Sequence, residues 1–221
     1  MAFFKRTFER FHVEDILDCA CGTGNDLLLF HSLGYRVTGS DLSEAMLKIS
    51  SKSIHERGAD VVLRKADFQD LKAVHPETFD SVVCLSNSIN KAEIDVTKAL
   101  ESMKEVLKPN GIIIFDQGQT DLSMRNPPSY APILNSPDLS RLFTMEYDRD
   151  TMTVNIFDFV HDGKKQVFDF GHSQFKIRIR LYADWKAILK ICDLKAEFYG
   201  SWDGEEYDPN RSTRLIVVAA K

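Results

Sequence analysis

The chain has little cysteine, little excess charge and no long apolar run, and each shortage excludes a class of protein. Four cysteines in 221 residues do not make a disulfide framework, so a reducing, cytoplasmic compartment fits best. Two of the four form Cys19-x-Cys21 with no second pair, which argues against a zinc site. The apolar runs are short, Ile112 to Phe115 being typical, and none would span a bilayer. The opening MAFFKRTFERF has early cations but no apolar stretch, so it does not read as a secretory signal. Lys and Arg total 28 against 33 Asp and Glu, leaving −5 and no basic block. Nucleic acid is therefore not expected as a partner. Repeats and low-complexity tracts are missing as well. What remains is an ordinary globular composition, 43% hydrophobic and 10% aromatic. At roughly 150 residues per domain, residues 1–221 read as one enlarged domain.

Strand and helix signals alternate along the first half. Val13 to Asp18, Tyr35 to Asp41, Val61 to Ala66, Phe79 to Leu85 and Ile112 to Phe115 read as strands. Val82, Val83, Cys84 and Leu85 are contiguous, as in a strand buried on both faces. Helices are expected over Leu27 to Leu33, after an N-cap at Ser43 with Ala45, Met46 and Ile49 inward, and along Val96, Ala99, Leu100, Met103 and Leu107. The last stops at Lys108-Pro109-Asn110-Gly111. This alternation predicts an α/β fold with a doubly wound, mostly parallel sheet.

The pattern changes after Gln117. Gly118, Pro127, Pro128, Pro132 and Pro137 predict an irregular segment over 118–140. Residues 141–181 alternate with period two, clearest in Phe175, Ile177, Ile179 and Leu181, with a hairpin turn expected at Asp162-Gly163. Trp185, Ile188, Leu189 and Cys192 mark another helix, and Leu194 to Tyr199 and Arg214 to Ala220 two final strands. The chain thus divides into a core over 13–118, an antiparallel β insertion over about 119–181, and a closing helix and hairpin over 182–221.

Chemistry concentrates where strands end. The first strand runs into Asp18-Cys19-Ala20-Cys21-Gly22-Thr23-Gly24, and glycines at a strand–helix junction let backbone approach a ligand. A dinucleotide fingerprint needs a third glycine where Leu27 stands. Asp41 ends the second strand, seventeen residues after Gly24, where a carboxylate can accept from both ribose hydroxyls. Asp67 ends the third as Ala66-Asp67-Phe68, an acceptor and an aromatic suited to adenine.

These residues resemble the class I S-adenosylmethionine-dependent methyltransferases. The matching stretches are Leu17-Asp18-x-Ala20-Cys21-Gly22-Thr23-Gly24, Gly39-Ser40-Asp41-Leu42-Ser43-x-x-Met46-Leu47, Ala66-Asp67-Phe68, Phe79-Asp80-x-Val82 and Leu107-Lys108-Pro109-Asn110-Gly111. The resemblance implies a Rossmann-like sheet of seven strands whose antiparallel last strand is Arg214–Ala220. It also implies S-adenosyl-L-methionine held by Asp18, Ala20, Cys21, Gly22, Gly24, Asp41, Leu42, Met46, Ala66, Asp67, Phe68 and Leu85. Within the class, Cys84-Leu85-Ser86-Asn87-Ser88 is similar to the glycine and sarcosine N-methyltransferases and related amine methyltransferases. There the asparagine helps hold the substrate carboxylate, and Asn87 would take that place. Lys91 stands where those enzymes carry histidine, and Asp116-Gln117-Gly118-Gln119 where an arginine is often found.

The acceptor implied is a small amine bearing a carboxylate, such as glycine or sarcosine, with an amino sugar or a hydroxyl as the alternative. Asn87 is the candidate for positioning it, with Tyr182, His172 and Asp116 as candidate bases. Arg125, Arg141, Arg178 and Arg180 could pair with the carboxylate, and Trp202 and Tyr207 could wall the pocket. Only twelve residues precede the first strand, where relatives carry a longer helical cover. A second copy or another chain could supply that cover, and a cofactor-binding subunit dependent on such a partner is the other reading.

Overall fold

A computed structural model describes residues 2–162 and 166–221. Its main sheet is built from β1 (Asp15–Asp18), β2 (Arg36–Asp41), β3 (Val62–Lys65), β4 (Phe79–Cys84), β5 (Leu107–Gln117), β10 (Lys195–Tyr199) and β11 (Leu215–Ala220). The order is β10-β11-β5-β4-β1-β2-β3, parallel except that β11 runs antiparallel to both β5 and β10. This is the Rossmann-like α/β arrangement expected.

Alternate residues along the central strands feed two cores. Leu17, Val82, Ile113, Phe115 and Val217 face α4 (Val96–Glu105) and α5 (Tyr182–Ile191). Ile16, Val83, Ile114, Ile216 and Val218 face α1 (Ala2–Arg10) and α2 (Asn25–Ser32). Strands covered on both sides read as continuous apolar runs for this reason.

Three local expectations need correction. In α3 (Glu44–Glu56) the Ser43 cap forms, its hydroxyl accepting from Met46 N, but Ala45, Met46 and Ile49 are exposed. Ser50 and Ile54 are buried instead, because Ser50 fits under Gly24, where a β-carbon would lie 2.3 Å from its Oγ. The helix turns the small Ser50 to the glycine loop, which leaves Ala45, Met46 and Ile49 on the outer side. Second, Lys108 to Gly111 does not precede the fifth strand. It is an irregularity inside β5, where the register jumps from Phe79↔Leu107 to Ser81↔Ile112 and Asn110 adopts φ 64°.

The third correction concerns the insertion, a four-stranded antiparallel sheet ordered β6 (Tyr130–Asn135), β7 (Leu139–Asp148), β8 (Thr151–His161) and β9 (Val167–Arg178). The proline-rich stretch expected to be irregular contributes β6. Pro132 is tolerated there because β6 is an edge strand with a register shift between Pro132 and Leu134. Gly163 of the expected Asp162-Gly163 turn lies outside the described residues.

The periodicity reading did not find α1. Its Phe8 is fully buried, with ring centroids 5.6 Å from Phe4, 5.6 Å from Phe30 and 5.0 Å from Tyr35. Phe8→Ala should therefore cost about 3–5 kcal/mol of unfolding free energy. Denaturant titration checks this, and a change near zero would mean that α1 is not part of the cooperative fold.

Candidate active site

The carboxyl ends of β1, β2 and β5 converge on the glycine loop. Asp41 fastens it, since Oδ2 accepts from Gly22 N at 2.9 Å and Oδ1 from Ser43 N at 2.8 Å. Each oxygen keeps further acceptor capacity for a ligand hydroxyl. Gly22 sits at φ 52°, and a β-carbon there would meet nothing within 4 Å, so the backbone borders open space. Leu42 and Met46 add exposed apolar surface just beyond Asp41.

Asp18 is almost completely buried and accepts from Ala20 N at 3.2 Å. Burial, reinforced by Asp26 and then Asp41, pushes its carboxyl up to about 8. Asp26, in the first turn of α2, is also raised, by burial and by the charge of Asp116. Asp116 at the end of β5 is raised by burial, although it pairs with Arg214. Three carboxyls at one edge of the sheet, from β1, α2 and β5 and with Arg214 as their one cation partner among the described residues, suit a positively charged ligand. S-adenosylmethionine, with a sulfonium and an ammonium, matches that donor set and the open backbone at Gly22. Burial and then Asp18 push the Cys21 thiol up, so it stays protonated beneath the loop.

Asp67 Oδ1 accepts from Gln69 N at 2.9 Å. Phe68 belongs to the core cluster with Leu71 and Ala66, so most of its ring serves packing rather than a ligand. Leu85 is buried in the other core.

A cavity of about 220 Å³ opens between the ends of β4 and β5 and the inner face of the insertion sheet. Asn87, Gly118 and Gln119 form its polar side, and Phe143, Met145, Met152, Val154, Phe175 and Ile177 its apolar wall. Asn87 sits at φ 65°, where Asn is among the few residues tolerated, and its Oδ1 accepts from Gly118 N at 3.3 Å. Its Nδ2 is left able to donate. Tyr147 donates to Pro128 O at 2.9 Å, holding the 119–129 segment over the sheet as a lid wall.

Two expected residues lie elsewhere. His172 is on the opposite face of β9 from Phe175 and Ile177; its ring stacks on Phe157 at 4.9 Å and its Nε2 is 3.2 Å from Asn155 Oδ1. Tyr182 packs on Phe198 at 4.9 Å and on Tyr207 at 5.2 Å, away from the cavity. The four arginines do not line it either. Arg141 makes a fork to Asp158 at 2.7 and 2.8 Å, Arg178 pairs with Asp150, and Arg125 binds Asn210. Arg180 is buried and donates to Asn90 Oδ1 at 3.1 Å. Trp202 packs against Phe3 and Phe4 of α1, and Tyr207 donates to Asp121 Oδ2 at 2.7 Å.

Sequence reasoning missed Asp26 and the buried amides Asn90 and Gln117. Asp26 stands two residues past Gly24, and Gln117 is a polar residue closing an apolar strand; both were visible signals.

Residues 16–111 match the family model described as a methyltransferase domain. The chain carries a methyltransferase domain of the S-adenosylmethionine-dependent class. YqeM of Bacillus subtilis (strain 168), which bears a methyltransferase name, is 29% identical to this methyltransferase over 93% of the chain and 83% of its own length. The glycine/sarcosine N-methyltransferase of Parasynechococcus marenigrum (strain WH8102) is 35% identical over 54% of the chain and 43% of its own length. In fold, the methyltransferase is similar to the crystal structure of an S-adenosylmethionine-dependent methyltransferase from Clostridium acetobutylicum ATCC 824. The two align with a TM-score of 0.86 at 19% identity, over 99% of this chain and 89% of that one. Among the described residues no helix is long and apolar enough to cross a membrane, and no cluster of three or more His, Cys, Asp or Glu is placed to hold a metal.

The Asp18 carboxyl yields a pH prediction for the cofactor-free protein. Its folded pKa of about 8 lies above the ordinary 3.8, so the folded state holds a proton that the unfolded state has lost. The associated stability is full below 3.8 and is lost as pH rises through about 8. Asp18→Asn should flatten the decline across that interval in denaturation experiments. A variant whose stability falls as steeply as the parent's would contradict the assignment.

Proposed function

We propose that the methyltransferase methylates the nitrogen of a small amine held in the cavity between Asn87 and the insertion sheet. The carrying observation is the position of Asn87, which lies beyond the carboxyl end of β4 beside the cofactor edge and also on the cavity wall. The glycine and sarcosine N-methyltransferases among the relatives support nitrogen as the acceptor atom.

When bound, S-adenosylmethionine supplies an electrophilic methyl: the acceptor's lone pair forms the new bond as the carbon–sulfur bond breaks and its electron pair stays on sulfur. The protein's share is to bind, orient and exclude water. Asp41, Gly22 and Ser43 shape the ribose side, and Asp67 with exposed Leu42 and Met46 frames the adenine side. Asp18 and Asp26 face the cationic end. On the acceptor side Asn87, whose Oδ1 is taken by Gly118 N, lines the cavity and offers its Nδ2 as donor, while the insertion sheet with Met124 and Pro128 keeps water out.

A methyl-transfer screen over glycine, sarcosine, dimethylglycine, aryl and alkyl amines and an amino sugar tests the reading, through release of S-adenosylhomocysteine and the mass of the product. Transfer confined to hydroxyl or carboxyl acceptors would refute it. Asn87→Gly keeps the left-handed backbone accessible while deleting the amide. It should raise KM for the amine about tenfold, the loss of one hydrogen bond, with cofactor affinity unchanged by calorimetry. Equal losses of both affinities would place Asn87 in the cofactor site instead.

A further inference from the structure

We propose that Asp116 is a positioning residue of the acceptor site: it clamps the left-handed turn Ser86-Asn87 and so fixes where the Asn87 amide stands. This rests on the reading of Asn87 as the acceptor's partner. Ser86 sits at φ 59° and Asn87 at φ 65°, two left-handed residues in succession just past β4. Neither is glycine, and a β-carbon makes that region unfavourable, for Ser more than for Asn. Ser86 is also exposed, so packing does not hold it there. The turn needs support from outside, and Asp116 supplies it from β5. Its Oδ1 accepts from Ser86 N at 2.7 Å, and its backbone O accepts from Asn87 N at 3.3 Å. One residue thus holds both amides of the turn.

The clamp is itself fixed. Asp116 is buried, lies opposite Ile216 in the β5–β11 ladder, and gives its second oxygen to Arg214. A carboxylate placed in this way cannot swing aside without leaving Ser86 N and its cation unpaired, and a hydrogen bond to an ionised acceptor is about twice as strong as a neutral one. Two residues further on, Gly118 N donates to Asn87 Oδ1 at 3.3 Å. The stretch 116–118 therefore holds Asn87 at its backbone through Asp116 and at its side chain through Gly118. With Oδ1 taken, Nδ2 is the group left to meet an acceptor molecule. Asn87 and Gly118 line the cavity, whereas Asp116 does not. Asp116 thus acts on the acceptor through Asn87, by geometry, rather than as a base in contact with it.

The test pairs removal of the clamp with relief of the need for it. Asp116→Ala deletes the carboxylate, and Ser86→Gly supplies a residue that adopts the left-handed region unaided. Activity is read as methyl transfer from S-adenosylmethionine to glycine or benzylamine, whichever turns over. Asp116→Ala should lower kcat/KM for the amine at least about tenfold, as expected for loss of a bond to a charged acceptor. Adding Ser86→Gly to Asp116→Ala should recover most of that loss. A loss that Ser86→Gly leaves in place would assign Asp116 to charge or to fold stability and overturn the inference. Hydrogen exchange needs no turnover and separates this inference from the methylation reading. The Gly118 amide should exchange at least about tenfold faster in Asp116→Ala and slow again in the double variant. In the wild-type protein the Ser86 and Gly118 amides should be protected although Ser86 is exposed; free exchange at Ser86 would overturn the clamp, and this measurement decides where Asp116→Ala does not fold. The expected exchange pattern without methylation of any amine supports the clamp and defeats the methylation reading alone.

Discussion

One buried amide ties the two sheets together. Gln117 Oε1 accepts from Asn90 Nδ2 at 2.7 Å and from Trp185 Nε1 at 2.8 Å, and its Nε2 donates to Gln119 O at 2.5 Å and Arg180 O at 2.6 Å. Asn90 in turn accepts from Arg180, whose guanidinium lies 5.8 Å from the Trp185 ring. Both ends of this amide are thus satisfied twice, with Gln117 fully buried. Removing it would leave several buried donors and acceptors unpaired, each at about 1–3 kcal/mol. The network joins the end of β5, the turn after Asn87, the exit of the insertion and the start of α5. The cavity holds its shape because all four meet at one residue.

Electrostatics distinguishes the two edges of the main sheet. At the amino ends, acids have cations: Arg36 and then Lys108 hold Asp15 down to about 2, and Lys108 also bridges to Asp80 at 3.0 Å. At the carboxyl ends, Asp18, Asp26 and Asp116 are raised and share only the Arg214 pairing. Acids that fold chemistry alone would have neutralised are left exposed to one another. The carboxyl-end edge thus gathers raised carboxyls, whereas the cavity beside it is lined mostly by apolar side chains.

The local sequence determined the sheet and its edge of glycines and acids, because both rest on short-range patterns. A strand buried on both faces must be a continuous apolar run, and a glycine turn followed by acids at strand ends is a contiguous signature in the chain. Gly22, Asp41 and Asp67 stand out in the chain for that reason. The acceptor side was not. Whether His172 meets a ligand depends on which face of β9 turns to the core, and period two states the alternation without choosing the side. The tertiary pairing of β8 with β9 put Phe175 and Ile177 inward and His172 outward. The arginines were likewise visible as charges, but their partners Asp158, Asp150, Asn90 and Asn210 lie 17 to 90 positions away along the chain. Only long-range contacts could decide that these cations serve the scaffold, and that the cavity they surround is left neutral.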